Sequence, residues 1–410
     1  MIYRMAIFGM LSLMLGAGSA FAQLDKPLPQ AMMGEANTAY ETYLTPTDTP
    51  AFRMPSRMET PIWFRADGLI TFTNAANLPP LLTTSPVGTP RATAGILGTP
   101  GTNILVGGSA ENGYRSGVGF AFGVEPFSNY HAGLELGFSM LNRREKSFID
   151  NSDSSRILGR PFTIAGTGQG QAVLVAFPGL STGSLDVRAS SGNLYMGNIA
   201  ITDRWIDNDY FHLTAMIGYR RYDMQEELHL LQNLVSTDPN TVPGTTIQTL
   251  DRFRTFGTFH GADFGLRGEF IEGPFSLEFT GRLAVGQLTR SVDIFGNQLI
   301  NVPGIAPQVN TGGMLALVSN TGRTTNSSTQ IMPEIGTVGK WQITRHLEAR
   351  LGYSVVLLQG VYRAADQIDT TISPNNFPPV IAPQGGSPAR TDRTANIWLQ
   401  TLSLGLSLGF

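Results

Sequence analysis

The sequence predicts an all-β protein, a transmembrane antiparallel up-and-down β-barrel of about ten strands, within a range of about eight to twelve. Three observations lead to this prediction. The chain opens with an export signal, and no later apolar run has the length that a membrane helix needs. Period-two alternation of apolar and polar residues recurs along the chain. The connections between alternating segments are short and long in turn, which is typical of outer-membrane barrels.

The amino terminus has the layout of a cleavable secretory signal. Arg4 precedes an apolar run, and the small residues Ala20 and Ala22 form an A-x-A cleavage site. A transmembrane anchor is the alternative interpretation, but the apolar run is short for a membrane span. We therefore expect residues 1–22 to be a signal peptide that is removed, so that the mature chain is exported.

Composition excludes several classes of function. The chain has no cysteine, so disulfides and thiolate metal sites are excluded. Charged residues make up 14% of the chain, whereas typical soluble domains carry about 25%. The net charge of −3 gives no sign of a nucleic-acid partner. We expect no cofactor, no metal and no nucleic acid.

Each predicted strand shows one apolar face. Residues 63–73 form the first strand and 402–410 belong to the last. Between them, the clearest alternation covers 130–140, 210–222, 260–270, 274–286 and 346–357. The opposite faces mix glycine, serine and charges of both signs, as a cramped interior requires. A soluble β-sandwich is the alternative, but the mixed polar faces and the alternating connection lengths favour a barrel.

The connections divide into two sets. Short turns are predicted near 126–129, 206–209, 272–274 and 344–346. Long segments rich in Pro, Gly, Thr and Asn are predicted at 75–115, 143–184, 224–247, 291–329 and 363–394. We place the short turns in the periplasm and the long loops outside the cell. Residues 23–60 are predicted to be a flexible periplasmic lead-in, and 61–410 the outer-membrane barrel.

The carboxyl terminus resembles an assembly signal. From Trp398 to Phe410 the even positions are apolar, apart from Gln400, and are predicted to face lipid. The pattern of Ser403, Gly405, Leu408 and Phe410 resembles the signal that the barrel-assembly machinery of Gram-negative outer membranes reads. An ordinary edge strand of a soluble sheet is the alternative. The expected partners are therefore outer-membrane lipid and the assembly machinery.

Several longer motifs resemble one family. They lie at 77–86, 95–108, 112–127, 158–163, 177–183, 217–228, 312–323 and 332–369. Together they resemble the seventh β-barrel porin family of planctomycete outer membranes, from Trp63 to Phe410. One departure is at 68–72, where the family is richer in aromatic residues. The resemblance implies a fold and an outer-membrane location, and it supplies no catalytic or ligand residue.

Function must then be argued from the interior of the barrel. Its candidate charges have nearly balanced signs: Glu135, Arg220, Asp263, Arg267, Glu269, Glu278, Arg282, Glu348 and Arg350. One hypothesis is a narrow porin-like channel for small solutes or ions, because about ten strands enclose little space. The second hypothesis is that the charges pair with one another and fill the interior as a structural plug. The barrel would then not conduct, and would anchor extracellular loops for surface binding or envelope structure.

An outer-membrane hydrolase is a third hypothesis. Residues 179–183 match G-x-S-x-G, but this motif needs a strand–turn–helix context that a loop between barrel strands lacks. His229 lies among Asp223, Glu226 and Glu227 at a predicted outer rim. A solvated histidine beside carboxylates is common, so we expect no catalytic residue and no enzyme.

Overall fold

The computed structural model describes residues 62–109, 113–127, 132–380 and 385–410. The predicted cleavage residues Ala20 and Ala22 and the predicted lead-in at 23–60 lie outside these residues. Among the helical segments of the described part, none has the length and hydropathy of a membrane span.

The described residues form eighteen strands. They are β1 (Ile62–Thr73), β2 (Asn77–Ser85), β3 (Asn103–Ser109), β4 (Tyr114–Phe127), β5 (Ala132–Leu141), β6 (Arg144–Ser152), β7 (Ile157–Ile164), β8 (Gly170–Ala176), β9 (Ser181–Ser191), β10 (Leu194–Asp207), β11 (Phe211–Ser236), β12 (Thr246–Glu272), β13 (Phe275–Asn301), β14 (Gln308–Thr311), β15 (Gly322–Thr344), β16 (Leu347–Tyr362), β17 (Thr371–Ile372) and β18 (Thr394–Gly409). Two short 3₁₀ helices, Ala365–Gln367 and Pro374–Asn376, lie between β16 and β18.

Ten strands close into an antiparallel ring, which confirms the predicted fold class. The order around the ring is β1, β4, β5, β10, β11, β12, β13, β15, β16 and β18. The ring closes because β1 pairs with β18 from Trp63↔Gly409 to Thr73↔Leu399. A closed ring leaves no unpaired strand edge, as a lipid environment demands.

The two ends of the ring differ in their connections. At one end, here called the turn end, tight turns join β10 to β11, β12 to β13 and β15 to β16 at 208–210, 273–274 and 345–346. These three turns were predicted. The connection between β4 and β5, where the fourth short turn was predicted near 126–129, lies outside the described residues. The opposite end, here called the cap end, carries the longer connections.

An exposed apolar band encircles the ring. Outward side chains such as Ile217, Phe264 and Leu404 are between 47% and 69% exposed. Aromatic pairs mark both margins of the band: Phe275 stacks on Trp341 near the turn end, and Tyr219 contacts His260 towards the cap end. Aromatic girdles on either side of an apolar band are typical of barrels in membranes.

Strands β11, β12 and β13 continue far beyond this band, with 26 or 27 residues each. Their polarity inverts at its margin. On β11 the outward residues are apolar up to Tyr219, whereas Arg221 and Glu227 are polar and outward, and Leu228 and Leu230 are buried inward. The upper halves of these strands therefore have the pattern of a sheet in water.

This extension corrects two predicted loops. The segments 224–247 and 291–329 were predicted to be loops, but β11 and β12 continue until only 237–245 joins them, and β13 continues to Asn301. The loop prediction was wrong because alternation persists there with its apolar face turned inward. We call the parts of β11, β12 and β13 that extend beyond the apolar band the wall. Strands β9 and β6 add to it, because β9 pairs with β11 and β6 pairs with β9.

A second sheet covers the inner side of the extended wall. Its order is β17-β7-β2-β3, with β8 also paired to β7. We call these five strands the cap. They come from three connections that were predicted to be long loops, 75–115, 143–184 and 363–394. Leu82, Leu158 and Val175 of the cap are buried in one cluster with Leu230 and Phe253 of the wall.

An apolar layer crosses the barrel below the cap. Its buried side chains come from eight strands of the ring: Leu141, Leu194, Tyr222, Phe259, Ala284, Leu288, Met332, Val356, Leu358, Val361, Ile397 and Leu399. Within it the rings of Tyr222 and Phe259, cross-strand neighbours on β11 and β12, stack with centroids 5.4 Å apart. The layer separates the cap from the interior nearer the turn end.

Candidate functional site: a charged chamber

The interior between the apolar layer and the turn end encloses a cavity of about 230 Å³. We call it the chamber. The charged residues that line it are Arg65, Asp67, Arg220, Arg267, Glu278, Arg282, Glu334 and Arg350. They project from β1, β11, β12, β13, β15 and β16, so the ring brings together residues from both halves of the chain.

Glu278 joins several of these charges near the turn end. Lys340 Nζ lies 2.6 Å from Glu278 Oε2 and 3.2 Å from Glu269 Oε1. Arg267 Nε is 3.7 Å and Arg350 Nη2 is 4.0 Å from Glu278 Oε1. One carboxylate on β13 therefore faces cations of β12, β15 and β16.

Two further pairs orient the arginines of the interior, one across the ring and one along a single strand. The guanidinium of Arg267 binds Glu135 in a bidentate manner, with Nη1–Oε1 and Nη2–Oε2 distances of 2.5 and 2.8 Å. Strands β12 and β5 are separated in the ring by β11 and β10. Arg350 Nη1 donates to Glu348 Oε1 over 2.9 Å. Such bidentate pairs fix the orientation of a guanidinium as well as its position.

A second tier lies closer to the apolar layer. Arg220 of β11 pairs with Glu334 of β15, across β12 and β13. Arg282 Nε donates to Asp263 Oδ2 over 3.0 Å. Arg220 is only 8% exposed, and its Nη1 has no hydrogen-bond partner within the described residues.

The structure places all nine predicted interior charges in these pairs. Sequence reasoning missed four others: Arg65 and Asp67, which pair at 3.1 Å, together with Glu334 and Lys340. A signal for β15 was present. Ile335 and Trp341 alternate with Glu334 and Lys340 and are exposed, but threonine and glycine dilute the apolar face.

The hydrolase candidates do not assemble into a site. Residues 177–180 form a tight turn between β8 and β9, with Phe177 bridged to Ser181, so G-x-S-x-G here joins two strands. Glu226 points inward to Arg363, while Glu227 points outward to Arg254. Glu226 therefore lies on the face opposite to Glu227, and Asp223 binds Arg221 and Thr258. Across the described ranges, no group of three or more His, Cys, Asp or Glu residues is placed to hold a metal ion.

The residues of the predicted assembly signal lie on both sides of β18. Leu408 and Phe410 are exposed outward, and the Phe410 N–H donates to the Ile62 carbonyl over 2.9 Å. Ser403 lines the chamber. Gly405 lies against β1, where an added Cβ would overlap Oδ1 of Asp67. Close packing against β1 therefore favours glycine at position 405, whether or not the assembly machinery reads this residue.

The comparisons with known proteins identify the family. Residues 63–410 match the family described as Putative beta barrel porin-7, and the chain belongs to it. No curated protein matches the chain.

Solved structures give a weaker likeness. The P. putida toluene transporter TodX is 9% identical with a TM-score of 0.21, over 85% of this chain and 90% of its own. A Pseudomonas aeruginosa FadL homologue is 9% identical with a TM-score of 0.22, over 85% and 90%. Scores this low carry no argument about this chain.

Proposed function

We propose that this porin-7 family member is a narrow outer-membrane channel for small solutes or ions, held closed by the apolar layer. The observation that carries the proposal is the chamber, a charged cavity inside a closed ring that ends at a layer of buried apolar side chains. Charged lumens tune the selectivity of membrane barrels. Apolar constrictions gate channels by excluding water.

The gate makes the proposal testable. In a planar bilayer the purified protein should give small and rare conductance steps. Phe259→Ala removes half of the aromatic stack within the apolar layer, so it should make the steps at least several times more frequent. Phe264→Ala is the matched control, because Phe264 is exposed on the outer face of the same strand. Silence of both the parent and Phe259→Ala would reject the channel.

Selectivity gives a second test. Changing Arg267, Arg282 and Arg350 together to glutamine removes three cations from the chamber wall. Glu135, Asp263 and Glu348 keep their charge, so the reversal potential should shift towards cations. A reversal potential that does not move would mean that ions pass without meeting these arginines.

A non-conducting surface protein is the second candidate, and the cap favours it. The cap shares a buried apolar core with the extended wall, as a folded module does, rather than forming loose loops. A barrel that inserts into the bilayer but stays silent, even as Phe259→Ala, would support this function.

The location and orientation are part of the proposal. The family supports an outer-membrane barrel, and the sequence supports planctomycete origin and cleavage after Ala22, which mass spectrometry of the mature chain tests. We infer that the turn end faces the periplasm. An epitope tag at Asn240 should then bind antibody on intact cells, whereas a tag at Gly273 should not, and the reverse result would invert the topology.

The assembly role of the last residue is also proposed. Deletion of Phe410 should reduce insertion by the assembly machinery, because it removes the terminal aromatic of the resembled signal. Normal amounts of the truncated chain in the outer membrane would contradict this role.

A further inference from the structure

The wall of the chamber offers more hydrogen-bond donors than acceptors. Five arginines line it, against the three carboxylates of Asp67, Glu278 and Glu334. Each guanidinium has five N–H donors and no acceptor. The cavity surface is therefore cationic, although the interior as a whole is nearly balanced.

The balancing carboxylates lie mostly behind the guanidiniums. Glu135 holds Arg267, Asp263 holds Arg282 and Glu348 holds Arg350, and none of these three carboxylates lines the cavity. They orient the arginines without occupying the cavity. A fixed guanidinium loses little entropy when it binds a further partner.

Arg220 provides an independent observation. Arg220 lines the cavity with only 8% of its surface exposed, and Glu334 binds only Nη2. Nη1 donates no hydrogen bond within the described part of the chain, and neither does Arg267 Nε, whose contact with Glu278 is an ion pair at 3.7 Å. Buried donors without a partner are costly, and those at charged groups most of all.

We propose that the chamber binds a small oxyanion, a carboxylate or a phosphate, against Arg220 and the neighbouring guanidiniums. Planar guanidiniums match the oxygen spacing of both groups. One consequence, that such an anion is the solute of the channel, rests on the proposed function. Binding itself does not require conduction.

The test is calorimetric titration of the detergent-solubilised full chain at low ionic strength, with inorganic phosphate and separately with acetate. The double variant Arg220→Gln/Glu334→Gln removes the unpartnered donor together with its carboxylate, so no charge is left unpaired. It should bind at least about tenfold more weakly, the loss of roughly one charge-assisted hydrogen bond. The control Asp186→Asn/Arg188→Gln changes an exposed pair on β9 and should bind as the parent does.

The outcomes separate the two proposals. Binding of phosphate alone, or of acetate alone, supports the site and names the anion class. No binding of either anion by the parent, or binding that the Arg220→Gln/Glu334→Gln variant leaves unchanged, overturns the site. Binding together with silence of both the parent and Phe259→Ala in the bilayer keeps the site and rejects the channel, whereas conductance without binding does the opposite.

Discussion

Strands β11 to β13 pass through two environments, and the same backbone meets opposite demands in each. Towards the turn end their outer face is apolar, and on their inner face Arg220 and Arg282 line a cavity. Towards the cap end the outer face is polar and the inner face is packed with Leu230 and Phe253. Alternation sets which residues share a face, and the surrounding solvent decides which face is apolar.

The ion pairs differ between the halves as well. In the chamber, charges form a network around open space. Under the cap, Arg160 and Asp251 are 1% and 0% exposed, and Arg160 Nη2 lies 2.9 Å from Asp251 Oδ2. Asp251 Oδ1 also accepts the N–H groups of Met314, Leu315 and Ala316, each over 2.8 Å. This carboxylate holds the segment that follows β14 against the wall.

Asp251→Ala should have the largest effect. It leaves Arg160 buried without its counter-ion and three backbone N–H groups without an acceptor, which should cost about 3–5 kcal/mol. Urea titration of the lipid-inserted protein, with protease cleavage of the cap as the readout, measures the loss. Asp251→Asn, which keeps one acceptor oxygen, should lose less. A midpoint equal to the parent's would mean that the pair does not hold the cap.

Gly405→Ala should have an intermediate effect on stability, and it tests the half of the barrel nearer the turn end. A Cβ there would overlap Oδ1 of Asp67 and the carbonyl oxygen of Ala66, and overpacking of this kind costs about 1–3 kcal/mol. Gly281→Ala is the control, because a Cβ at Gly281 meets no atom. Refolding in detergent, where no assembly machinery is present, measures packing alone. Equal stability of the two variants would leave recognition as the role of Gly405.

Glu227→Ala should have the smallest effect. Its pair with Arg254, at 3.0 Å, lies half-buried on the outer face of the wall, and exposed pairs contribute about 0.2–1 kcal/mol. Glu226, one residue away, faces inward and binds Arg363 and the Ala364 N–H. The same urea titration should rank Glu226→Ala well below Glu227→Ala in stability. The opposite order would contradict the inward and outward assignment.

The strand number was predictable because short turns and long connections alternate along the chain: four of the former and five of the latter imply about ten strands. The upper halves were missed because the apolar residues change parity, from odd positions up to Tyr219 to even positions from Tyr222. The period-two pattern is interrupted at that change, so the sequence alone predicts that the strand ends there. The inward segment 312–317 did carry a signal, since Met314 to Leu317 are four consecutive apolar residues in a presumed loop. All four are buried.

The interior charges were predictable as a set, but their partners were not. Alternation assigns Arg220 to the polar face of its strand. Its partner Glu334 is 114 residues away and three positions around the ring. Which charges meet depends on the curvature and register of the closed ring, and a single strand's pattern contains neither.

The cap gathers strands from connections far apart in the chain, and this has a consequence for the order of assembly. The Thr163 N–H donates to the Thr370 carbonyl and the Ala165 N–H to the Ile372 carbonyl, both over 2.8 Å. Long-range pairings form late because their loop-closure entropy is large. The cap sheet is complete only after the connection before the final strand has joined it. We therefore expect β17 to be the last strand that joins the cap during biogenesis, after β2, β3, β7 and β8 have paired.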